Sequence, residues 1–86
     1  MVSTTNHYHI NVRGRENTEH FFKVYMSLPN AKIKTQVISN EASIHICDYF
    51  MDLDTEDLLF LRLSCVIEYV LDVNDYIKKR DEKINT

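Results

Sequence analysis

Residues 55–80 read TEDLLFLRLSCVIEYVLDVNDYIKKR, and the fold turns on how they are read. Leu59, Leu63, Val66, Val70, Val73 and Ile77 recur at alternating spacings of four and three, the pattern of a helix with one apolar stripe. Asp54 or Thr55 supplies an N-cap. Glu56 and Asp57 suit the positive end of the helix dipole, and Lys78, Lys79 and Arg80 suit the negative end. This reading predicts one helix of about 25 residues, roughly 38 Å long. Leu58, Phe60, Leu61, Ile67, Tyr69, Leu71 and Tyr76 widen its apolar arc well beyond the stripe.

Upstream, three runs alternate with period two, which makes them half-buried strands. In the first, Tyr8, Ile10 and Val12 oppose His7, His9, Asn11 and Arg13. In the second, Ile33, Thr35 and Val37 oppose Lys32, Lys34 and Gln36. In the third, Ala42, Ile44 and Ile46 oppose Ser43, His45 and Cys47, with Tyr49 continuing the outer row. The expected strands are Tyr8–Arg13, Lys32–Ile38 and Ala42–Tyr49, the last two joined by a turn at Ser39-Asn40-Glu41. Gly14, the one glycine, ends the first strand. Asn17 is expected to cap a helix over Thr18–Leu28, which Pro29 stops.

The predicted fold class is therefore α+β with order β-α-β-β-α: a three-stranded, mostly antiparallel sheet with two helices on one face. It is similar to the ferredoxin-like split βαβ plan without its fourth strand. Strand 3 lies between strands 1 and 2, so strand 1 is an open edge. An eight-residue strand covers only about 27 Å, so the long helix overhangs the sheet. Its uncovered stripe predicts a homodimer through Leu59, Leu63, Val66, Ile67, Val70, Val73 and Ile77. The chain of 86 residues makes a single domain, residues 1–86, with residues 1–5 and 81–86 expected to fray.

The net charge of −3 is unevenly spread. Residues 1–40 carry five Lys/Arg against two acids, a balance of +3, while residues 41–86 carry five against eleven, a balance of −6. Two cysteines without CxxC spacing, Cys47 and Cys65, read as unreactive thiols in a reducing compartment. There is no signal-peptide pattern at the N-terminus, and the apolar run 58–71 is broken by Arg62 and Glu68. No membrane association and a cytoplasmic location are expected.

Function is read from the outer strand parity. His7, His9, Arg13, Lys32, Lys34 and His45, flanked by Arg15, predict a cationic face, with Tyr49 placed to stack a base. The leading expectation is a non-enzymatic dimeric protein that binds RNA or another polyanion on this face. The first alternative is a protein-binding inhibitor or adaptor acting through the acidic second half or the open strand edge. The second is a small hydrolase or metal-binding protein using His7, His9 and His45. Asp48, Asp52, Asp54, Glu56 and Asp57 lack EF-hand spacing, and no glycine-rich phosphate loop exists, so no cofactor is expected. The chain, short, motif-free and rich in Asn, Ile, Lys and Asp, is similar in style to small phage accessory proteins. That resemblance implies a host protein partner, such as a nuclease or a restriction, CRISPR or toxin–antitoxin component, which the chain would inhibit.

Overall fold

In a computed structural model, residues 5–73 form β1 (Thr5–Arg13), α1 (Arg15–Met26), β2 (Lys32–Glu41), β3 (Ile44–Asp54), α2 (Thr55–Ser64) and β4 (Tyr69–Asp72); these are the residues the structure describes. The fold is α+β. Among the described residues its sheet has four strands in the order β2-β3-β1-β4, all antiparallel. Strand 3 does lie between strands 1 and 2, but β1 is not an edge, because Tyr8–Asn11 pair with β4.

The single long helix is corrected. It stops at Ser64, and Cys65 is extended at φ −127°, ψ 155°. The Glu68 amide then donates to the Asn11 carbonyl (2.8 Å), and the chain returns as β4. Two periodicities coexist in this stretch. Val70 alternates with Tyr69 and Leu71 as well as it fits a helical stripe, and Val66, Ile67, Tyr69 and Val70 are residue types that favour strands. The free edge of β1 favours the strand, which pairs its backbone groups and turns Val70 onto the core. The helix is thus ten residues long, and the overhang that motivated a helix-mediated dimer is gone.

Gly14 turns strand into helix. Its φ of +94° is a conformation other residues resist. Its amide donates to the His45 carbonyl (2.7 Å) while its own carbonyl accepts from the Thr18 amide and Oγ1. Gly14, not Asn17, therefore occupies the N-cap. Asn17 instead donates through Nδ2 to the Arg13 carbonyl (2.9 Å). At the hairpin, Ala42 and Ser43 both have positive φ (50° and 69°), as a two-residue type I′ turn requires. The turn sits beyond Ser39-Asn40-Glu41, and these three residues belong to β2.

The core lies between the helices and one sheet face. Tyr8, Ile10 and Val12 of β1 meet Cys47, Tyr49, Met51 and Leu53 of β3, with Phe21 of α1 and Leu61 of α2 above them. The Phe21 and Tyr49 rings stack at 4.6 Å. The expected parity of β1 holds and that of β3 is inverted. Beyond Tyr49 the strand runs on to Asp54, and the even positions then carry Asp48, Asp52 and Asp54. Three carboxylates cannot enter an apolar core, so the odd row goes inside. In β2 a bulge between Ile33 and Thr35 flips the alternation. Ile33 pairs with Met51 on the helix side, whereas Thr35 and Val37 pair with Phe50 and Asp48 on the other face.

Candidate binding surface on the open sheet face

Cross-strand partners project to the same side of a sheet, so the register defines the open face, the one that neither described helix covers. β1 contributes His7, His9, Asn11 and Arg13 to it. β3 contributes Ile44, Ile46, Asp48, Phe50, Asp52 and Asp54. β2 adds Lys32, Thr35, Val37, Ser39 and Glu41, and β4 adds Tyr69 and Leu71.

His7 and His9 are each hydrogen-bonded to a carboxylate. His7 Nδ1 donates to Asp52 Oδ1, whose other oxygen lies 3.5 Å from Lys34 Nζ. His9 Nε2 donates to Asp48 Oδ1 at 2.8 Å, and Asn11 Nδ2 donates to the same oxygen at 2.7 Å. Thr5 Oγ1 donates to Asp54 (2.8 Å). Burial pushes the Asp48 carboxyl up. The hydrogen bonds from Asn11 and His9, with the charges of His9 and Arg13, outweigh that and hold it below its ordinary 3.8. With Glu41 on the same face, the acids match or exceed Arg13, Lys32 and Lys34. The expected cationic patch is therefore a charge-balanced one.

Rings and aliphatic side chains fill the rest. His9 stacks on Phe50, centroids 4.5 Å apart and planes 14° apart, and meets the edge of Tyr69 at 5.4 Å. Tyr69, Leu71, Val37 and Ile44 are each 40–47% exposed.

Of the residues expected to bind nucleic acid, His7, His9, Arg13, Lys32 and Lys34 share this face or reach it. Arg15 opens α1 and is exposed in the helix layer. His45 has the parity of Cys47, on the other side of the sheet. Tyr49 is fully buried and offers no ring to a ligand; burial, aided by Cys47, pushes its phenol far above the ordinary value. Because His45 lies across the sheet, the three-histidine site is not assembled. Among the described residues, no group of three His, Cys, Asp or Glu is placed to hold a metal ion. The expected dimer residues divide as well. Leu59, Leu63 and Val66 are exposed, Ile67 and Val70 pack against the core, Val73 follows β4, and Ile77 lies outside the described residues.

Phe50, Tyr69, Leu71, Asp48 and Asp52 are functional candidates that the sequence reading missed. The signal for the β3 residues was available. Following the alternation of β3 past Tyr49 to Asp54 shows aspartates filling one parity. No helix among the described residues is long and apolar enough to cross a membrane. The chain matches no protein-family model, no curated protein and no solved structure.

Proposed function

We propose that the chain is a non-enzymatic protein-binding module, an inhibitor or adaptor, whose open sheet face docks a protein partner. One observation carries this reading. Asp48, Asp52 and Asp54 stand on the same face as the histidines, so the face offers exposed Val37, Ile44, Tyr69 and Leu71 around hydrogen-bonded His–Asp pairs rather than an excess of cations. Polyanion binding draws its affinity from unpaired Lys and Arg, whereas protein interfaces combine aromatic and aliphatic contact with locally satisfied polar groups. The stylistic likeness to small phage accessory proteins agrees with an inhibitor of a host factor. Affinity capture from the native host, with and without nuclease, tests the reading. A stoichiometric protein partner that survives nuclease supports it, and recovery of nucleic acid alone contradicts it.

A second reading rests on the ring cluster. We read the element order β-α-β-β-α-β, with this strand order, as similar to the ferredoxin-like plan, and single-stranded RNA is commonly bound by aromatic rings on the open face of such a sheet. His9 and Phe50 are opposed on the two central strands, with Tyr69 beside them. RNA binding that weakens steeply with salt and is lost in Tyr69→Ala would favour this reading over the first.

A further inference from the structure

The two edges of the sheet are unlike. β4 is four residues long and has Glu68 before it and Asp72 within it, a short charged edge of the kind proteins use to prevent strand addition. β2 is ten residues long and, among the described residues, pairs on one side only, with β3. Its protective features, a bulge and two lysines, are confined to Lys32–Lys34. From Thr35 to Asn40 the edge reads TQVISN, with no charge, proline or glycine. Val37 and Ile38 are 47% and 57% exposed on opposite faces. α1 packs over β1 and β3, and a shallow groove of about 470 Å³ separates its Thr18, Glu19, Phe22 and Lys23 from Gln36 of β2.

We infer that a second copy of this chain pairs antiparallel with β2, joining two four-stranded sheets into one of eight strands. The charge order along the strand selects this occupant. Lys32 and Lys34 lie at its start and Glu41 at its end, so antiparallel self-pairing sets the basic end of each copy beside the acidic end of the other. The face alternation agrees. With the two-fold axis at Val37, Thr35 stands opposite the partner's Ser39 and Gln36 opposite the partner's Ile38, and each pair shares a face. The partner's Ile38 then lies beside Gln36 at the edge of the groove. The pairing also places two open faces side by side, whatever those faces bind.

Light scattering or sedimentation on the full chain is expected to give twice the 10.2 kDa chain mass at micromolar concentration. Val37→Lys, which sets two ammonium groups together on the axis, is expected to give the monomer mass. Lys32→Glu/Lys34→Glu is expected to weaken the dimer, and adding Glu41→Lys to restore it with reversed polarity. Circular dichroism melts confirm that each variant folds. Amide exchange supplies a readout independent of mutation, because dilution to monomer should expose edge amides within Thr35–Asn40 and leave β1 amides protected. A monomer at all concentrations overturns the inference. So does a dimer that survives Val37→Lys and is instead lost in Leu63→Glu on the outer face of α2.

Discussion

Asp48 Oδ1 accepts hydrogen bonds from both His9 and Asn11, at 2.8 and 2.7 Å, and so ties β3 to β1 at the centre of the open face. Asn11 is 3% exposed and its Oδ1 has no hydrogen-bond partner, so Asp48 is what satisfies the polar end of this side chain. Asp48→Ala leaves a buried amide and an imidazole without their acceptor. The expected cost is about 2 kcal/mol, read as a lower urea midpoint at unchanged m-value. A midpoint within error of wild type would mean that the pair contributes nothing to stability.

The same carboxylate sets a pH dependence. Its folded value lies below the ordinary 3.8, so the unfolded state binds more protons as pH falls through this window. The contribution is complete above 3.8 and is lost as pH drops through the lower folded value. The slope of stability against pH below 4 should therefore flatten in Asp48→Asn relative to wild type. Equal slopes would locate the acid sensitivity elsewhere.

β4 makes opposite predictions for adjacent residues. Val70 packs against the core and Leu71 is 43% exposed on the open face. Val70→Asp should destabilise by about 2–3 kcal/mol through a buried unpaired charge, whereas Leu71→Asp should stay within about 0.5 kcal/mol. Equal losses of melting temperature in the two variants would contradict the inward Val70 and outward Leu71 of this strand.

The two thiols should differ. Cys47 is fully buried beneath Gln36, which donates to its Sγ at 3.4 Å. Cys65 is half-buried, and burial pushes its thiol up, away from the reactive thiolate. Reaction with a thiol reagent near neutral pH should be slow at Cys65 and absent at Cys47 until the protein unfolds. Fast labelling of Cys47 would place β3 in the wrong register.

Much of this architecture was legible in the sequence. The alternation around Ile10 and the turn at Gly14 locate β1, and Phe21 with Val24 and Tyr25 marks the buried side of α1. Local features fixed these elements. What failed depended on tertiary context. Val66–Asp72 satisfies helical and strand periods at once, and only the unpaired edge of β1, a long-range need, chooses between them. The bulge at Lys34 has no sequence marker, and it sends Val37 to the open face. The inverted parity of β3 was recoverable, because Asp48, Asp52 and Asp54 share a row that no apolar core admits. With that row assigned, the histidine face becomes a set of His–Asp pairs, and the case for a polyanion gives way to one for a protein.

The open face is proposed to dock a protein. The most direct test compares nuclease-treated captures by wild type and by Tyr69→Lys/Leu71→Lys, a variant that alters exposed residues of this face alone. One stoichiometric protein partner is expected to be retained by wild type and lost from a variant that melts at the wild-type temperature. Equal recovery by the folded variant would contradict it.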